Sequence, residues 1–172
     1  MAELLRIHEI LHHLEVTNAM TAAEFGCGSA HIAMALAKKT PKGRVYGIDI
    51  QQDRLSALQG QLAHAHLKNV VAIHGDLEVP KGSTLRDSML DIVVIPNTLF
   101  QAEHKYGIIQ EAHRTLKSGG QLLVVDWLKA GPFSPQNLIG AEEVKGLAVK
   151  AGFTLKKEFA AGDYHYGLVF TK

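Results

Sequence analysis

Short apolar runs alternate with stretches of helical periodicity along this chain, and that alternation predicts an α/β fold on a mostly parallel, doubly wound sheet. Two further observations sharpen the prediction. A glycine-containing turn follows the first apolar run, and polar or acidic residues follow each of the next four. In open sheets of this kind, ligands bind at the carboxyl ends of the strands. Seven runs qualify as strands, the last of them antiparallel, with helices on both faces.

Taken in order, Leu4, Ile7, Leu11 and Leu14 recur at helical spacing and predict an amphipathic helix over 3–14. Met20–Phe25 is the first strand, followed by the turn Glu24-Phe-Gly-Cys-Gly-Ser-Ala30 and an Ala-rich helix over 30–39. Val45–Asp49 is the second strand. A helix over 52–66 follows, with Leu55, Leu58 and Leu62 on one stripe. Val70–His74 is the third strand and leads into Gly75-Asp76-Leu77; Leu90–Ile95 is the fourth and leads into Pro96-Asn97. A helix from about 103 to 116 is expected to stop at Gly119-Gly120. Gln121–Val125 is the fifth strand, ending in Asp126-Trp127, and a helix over 141–151 has Gly152 beyond its end. Thr154–Phe159 and Tyr164–Thr171 flank the short turn Ala160-Ala161-Gly162-Asp163 and form a hairpin. With the first of these two strands parallel to the rest, the hairpin turn falls at the same edge as the glycine turn.

Composition is that of a globular protein. With 172 residues, one domain over 1–172 is expected, residues 1–19 forming a helical extension. A formal charge of +1 gives no broad electropositive surface for nucleic acid. No apolar run approaches the roughly 20 residues that span a bilayer. Glu3, Arg6 and Glu9 interrupt the first apolar residues, which argues against a signal peptide. The one cysteine, Cys27, excludes an internal disulfide and suits a reducing cytoplasm.

The glycine turn carries the chemistry. Gly26 and Gly28 remove side chains that would block a ligand's approach to the backbone. Glu24 would repel a phosphate and attract a cation, which points to a ligand with an ammonium group. Asp49 lies 21 residues past Gly28, where doubly wound folds bind ribose hydroxyls. A nicotinamide-dinucleotide fingerprint fails here. Its third glycine would fall at position 31, which is His31.

Together these segments resemble the class I S-adenosylmethionine (SAM)-dependent methyltransferases, closest to the ubiquinone/menaquinone-biosynthesis-type, methyltransferase-11-like branch. Glu24–Ala30 is similar to that family's acid-x-Gly-x-Gly-x-Gly motif, Tyr46–Ile50 to its ribose-binding strand, and His74–Glu78 to its adenine-contacting turn. The stretch from Ile95 to Trp127 is similar to its fourth strand, fourth helix and fifth strand. The resemblance covers residues 15–172, and it departs from the family at the third glycine, here Ala30. It implies a Rossmann-like fold and SAM as cofactor, with S-adenosylhomocysteine (SAH) as product. It also implies a cofactor site at Glu24, Gly26, Cys27, Gly28, Asp49, Ile50, Asp76, Leu77 and Asn97. The implied reaction is in-line methyl transfer to an acceptor that the sequence does not identify. A non-catalytic SAM-binding or sensing module is the alternative, with a dinucleotide-dependent oxidoreductase domain behind it.

No catalytic residue is named by the sequence. Four candidates fall at the acceptor end. His104 is a base or a helix-terminus residue, and Asp126 touches the acceptor or caps a turn. Tyr164 and His165, in the cluster from Asp163 to Tyr166, orient an acceptor or pack the hairpin. Ten histidines give no metal-ligand pattern. His8 and His12 have helical spacing without a third ligand nearby, and the adjacent His12 and His13 face apart. Only 128–138 separates the fifth strand from the next helix, which leaves no sizeable lid. A large acceptor, a small and loosely held one, or a second subunit in a homodimer would each suit such a site.

Overall fold

The computed structural model describes residues 6–131 and 134–172. Five helices and seven strands alternate through α1 (Ile7–Leu11), β1 (Thr21–Phe25), α2 (His31–Lys39), β2 (Arg44–Asp49), α3 (Gln52–His64), β3 (Val70–His74) and β4 (Leu90–Pro96). After a single 3₁₀ turn (Leu99–Gln101) come α4 (Lys105–Thr115), β5 (Leu116–Trp127), α5 (Ala141–Ala151), β6 (Thr154–Ala160) and β7 (His165–Thr171). The strands form one sheet in the order β3-β2-β1-β4-β5-β7-β6. The pairs from β3 to β5 are parallel, and β7 runs antiparallel to both neighbours. The edge strand β6 therefore runs with the parallel set, as the hairpin predicts. Strand order reverses between β1 and β4, and that switch point opens the crevice at the carboxyl edge.

Both faces of the sheet are covered, so its central strands are apolar on both sides. Along β5, Leu122 and Val124 belong to the core under α4 and α5, while Leu123 and Val125 belong to the core under α1, α2 and α3. This is the two-residue period of a strand supplying two cores at once.

Several local expectations change, and the fifth strand runs over Leu116–Trp127 rather than Gln121–Val125. The first helix is described over Ile7–Leu11 rather than 3–14; residues 3–5 of that prediction lie outside the described residues. Helix α4 ends at Thr115, because Leu116 is already extended (φ −72°, ψ 140°). Gly119-Gly120 is therefore no helix stop. Gly119, at φ +78°, lies within β5, and its N–H donates to the Lys172 carbonyl at 2.9 Å. The last strand starts at His165 rather than Tyr164.

A buried polar cluster fixes the long connection between β3 and β4. The Glu111 carboxylate on α4 accepts the N–H groups of Lys81 and Ser83, at 3.2 and 3.1 Å, and the Ser83 hydroxyl. Arg114, one turn on, pairs with Glu111 at 2.7 Å and with Asp87, and donates to the Leu85 carbonyl. At the other end of α4, Glu78 accepts the N–H of His104. The segment just after β3 is thus tied to α4 at several points.

Candidate active site

A cavity of about 650 Å³ opens at the carboxyl edge over the switch point, well within the size range of small-molecule sites. Its floor is the turn between β1 and α2. Gly26 has φ +82°, and a Cβ built on it would lie 2.3 Å from the Thr98 hydroxyl. Glycine is needed there for both conformation and room. At Gly28 a Cβ would lie 2.5 Å from Nη1 of Arg54, whose side chain lies against that glycine. Ala30 takes the third glycine's place with its backbone left-handed (φ 64°), a conformation that costs a residue bearing a Cβ.

Glu24 is 1 % exposed at the end of β1 and lines the cavity. Its Oε2 accepts the Ala33 N–H at 2.8 Å. Ala30, the N-cap residue of α2, has no side chain able to cap the helix. A carboxylate from the neighbouring strand satisfies that N–H instead. Burial pushes the Glu24 carboxyl up to about 8; the Ala33 N–H opposes the shift, and the negative Asp49 adds to it. Oε1 accepts no hydrogen bond from any described residue.

Asp49 ends β2 with its carboxylate on the same cavity. Oδ1 accepts the Gln51 N–H at 2.9 Å, and Oδ2 is left without a protein donor among the described residues. Beside it, Ile50 is a 57 % exposed apolar side chain at the rim. Across from it, Asp76 and Leu77 line the cavity from the turn after β3, where the Asp76 Oδ1 accepts the Glu78 N–H at 3.0 Å. Two acids and two apolar side chains therefore stand at one end of the cavity. Asn97 contributes from the turn after β4, at φ 47°, and its buried Oδ1 has no partner among the described residues. A buried acceptor left open on a cavity wall calls for a donor from a ligand.

Of the nine residues placed at the cofactor by sequence, eight line this cavity. Cys27 does not. Its side chain is fully buried in the core with Leu55 and Leu58, and burial pushes its thiol up to about 12, so it is a packing group. Only its backbone belongs to the turn, with its N–H donating to the Ile48 carbonyl at 3.2 Å.

None of the four acceptor-side candidates lines the cavity. Asp126 is fully buried and accepts the N–H groups of Leu99, Phe100 and Trp127 at 3.1, 3.3 and 2.8 Å. It caps the turn after β4; burial still pushes its carboxyl up to about 6 against those three donors. His165 is also fully buried, its ring tilted against Trp127 with centroids 4.2 Å apart, and burial pulls its imidazole down to about 4. His104 is exposed at the N-cap of α4, and Tyr164 lies under the Lys129 ammonium. Apolar side chains line the cavity as well, among them Ile7, Phe100 and Trp127. Sequence inspection missed Ile7, Phe100, Thr98 and Arg54 as site residues. Arg54 did carry a signal, since it is a cation in the first turn of α3, where the helix dipole disfavours one.

Comparison with known proteins agrees with this architecture. Residues 17–160 match the family described as "Methyltransferase domain". The demethylmenaquinone methyltransferase of Geobacillus kaustophilus is 28 % identical over 120 residues, which are 69 % of this chain and 50 % of that protein. Its Listeria monocytogenes counterpart is 29 % identical over 120 residues, 69 % of this chain and 49 % of that protein. The chain thus spans about half the length of the curated relatives it matches. Among solved structures, a SAM-dependent methyltransferase from Aquifex aeolicus superposes with a TM-score of 0.86 at 22 % identity, covering 98 % of this chain and 90 % of that one. The [4+2]-cyclase SpnF superposes at 0.83 and 15 % identity, covering 96 % and 79 %, so the fold by itself does not assign a reaction. With the family match spanning most of its length, the chain belongs to the methyltransferase-domain family.

Proposed function

We propose that this chain binds SAM in the switch-point cavity and directs its methyl group to an apolar ring-bearing acceptor held against Ile7, Phe100 and Trp127. One observation carries the cofactor half of this reading. The Glu24 and Asp49 carboxylates each line the same cavity with one oxygen that no described residue engages, beside the glycine turn. SAM offers an ammonium and two ribose hydroxyls, and these match the acceptors present. Glu24 and the Asn97 Oδ1 suit the ammonium, Asp49 the ribose, and Ile50 and Leu77 the faces of the adenine ring. The demethylmenaquinone named for the relatives is the model for the acceptor, and the apolar walls support it.

When bound, SAM supplies an already activated methyl on its sulfonium, so the chain's work is orientation and exclusion of water. Gly26 and Gly28 let the backbone close on the ligand, and Asp49 fixes its rotation. Asp126 holds the N–H groups of Leu99 and Phe100, which sets the wall at Phe100. The four acceptor-side candidates, His104, Asp126, Tyr164 and His165, lie outside the cavity, so none of them is assigned as a base. The buried, unreactive Cys27 supports a place in the reducing cytoplasm.

Calorimetric titration with SAM, SAH and NAD tests the cofactor assignment. SAM and SAH are expected to bind and NAD to give no response; tight NAD binding without SAM binding removes the proposal. Asp49→Ala is expected to weaken SAH binding by about 1.5–3 kcal/mol, the worth of hydrogen bonds to a charged group, with its unfolding transition unchanged. Labelled SAM, incubated with the protein and a lipid extract, then identifies the acceptor.

A further inference from the structure

We infer that Arg54 is the residue that recognises the cofactor's carboxylate, and so sets which way round the amino-acid end of SAM lies in the cavity. The inference rests on the SAM reading above.

Arg54 is the only lysine or arginine among the described residues that line the cavity. Its Nε donates to the Gln51 Oε1 at 2.9 Å, which points the rest of the guanidinium away from α3. Nη1 lies against Gly28, at the spot a Cβ there would nearly occupy. No carboxylate among the described residues lies within ion-pairing distance of it, although Glu24 and Asp49 line the same cavity. Its place in the chain is also unfavourable, for a cation in the first turn of a helix opposes the dipole. A side chain held there at a cost, with neither terminal nitrogen hydrogen-bonded to another described residue, is set for a ligand anion.

The charges on SAM decide which anion. The molecule carries a sulfonium, an ammonium and one carboxylate. A fixed guanidinium beside the first two would weaken binding, so it is useful only if it meets the third. The planar guanidinium presents paired N–H donors that match a carboxylate's two oxygens. Glu24 and the Asn97 Oδ1 offer the ammonium its acceptors, and the one lining guanidinium, over Gly28, is left for the carboxylate. Separate residues for the two charged groups orient the amino-acid moiety.

Two probes separate this role from a structural one. SAH carries the carboxylate; 5′-methylthioadenosine keeps the adenosine and sulfur and lacks the amino-acid end entirely. Arg54→Met keeps a stem over Gly28 and removes the charge. It is expected to weaken SAH binding by roughly 10- to 100-fold, as for losing hydrogen bonds to a charged group. Binding of 5′-methylthioadenosine should stay within about twofold, since the lost guanidinium has no partner on that probe. Arg54→Lys should restore part of the SAH affinity. Equal weakening of both probes, or of neither, overturns the inference. Should Arg54→Met fail to fold, Arg54→Gln carries the same comparison. A wild-type protein that binds neither probe overturns the SAM reading itself, a result distinct from an unchanged ratio between the two.

Discussion

Ala30 carries the clearest conformational cost at the scale of single residues. Its φ of 64° belongs to a region that burdens a Cβ by about 1–2 kcal/mol. Glycine would relieve that cost, at the expense of a smaller loss from a more flexible unfolded chain. It is also the better N-cap residue of the two. Ala30→Gly is therefore expected to stabilise the protein by about 1 kcal/mol, read as a higher urea midpoint at unchanged slope. A decrease would show that the Ala30 methyl, which is buried, contributes more by packing than its backbone costs. The same residue scale shows what the sequence leaves hidden. The acid at Glu24 is visible as an attraction for a cation, yet its bond to Ala33 depends on how α2 lies across β1. His165 is visible as a histidine at the right edge. Whether such a ring faces the cavity or packs behind Trp127 is set by strand register, which places His165 opposite Trp127.

Helices and connections decide how the site is held. The strands were legible because each is a short apolar run ended by polar residues, and the hairpin because its turn is short. The helix ends were less so: a glycine pair reads as a stop, but Leu116 leaves the helix earlier to pair with Leu90 in the sheet. The connection between β3 and β4 shows no periodicity at all, since its order comes from Glu111 and Arg114 on another element. That dependence makes a prediction. Glu111→Ala would strand the N–H groups of Lys81 and Ser83 and leave Arg114 short of its buried partner. Removing one member of such a pair is expected to cost about 3 kcal/mol, measured by urea unfolding. Because the clamped segment begins at the turn bearing Asp76 and Leu77, SAH affinity should fall as well. Full affinity in a destabilised variant would mean that this turn is positioned by β3 alone.

Across the whole molecule, four buried titratable groups shape how stability depends on pH. Glu24, pushed by burial from 4.5 up to about 8, keeps a proton in the folded chain that the unfolded chain releases. Its contribution is intact below 4.5 and is lost as pH rises towards 8. Asp126 behaves alike over a lower window, from 3.8 to about 6. His165, drawn by burial from 6.5 down to about 4, acts in the opposite sense: its contribution is present above 6.5 and is lost as pH falls through 4. Glu111, held low by Arg114 and Ser83 against its burial, likewise favours the folded state above its ordinary value and not below it. These windows overlap in mildly acidic solution and separate above it. Between pH 6.5 and 8, Glu24 is the one of the four still titrating. The cofactor-free protein should therefore lose stability across that interval, by up to about 1.4 kcal/mol per pH unit, the slope for one proton. Glu24→Gln keeps an oxygen for the Ala33 N–H but carries no titrating proton, so its urea midpoint should stay level over the same range. Saturating SAH should flatten the wild-type profile too, because an ammonium beside Glu24 favours the ionised carboxylate that high pH would otherwise impose unpaired. A Glu24→Gln profile as steep as the wild type's would assign the slope to another group and leave Glu24 ionised in the empty cavity.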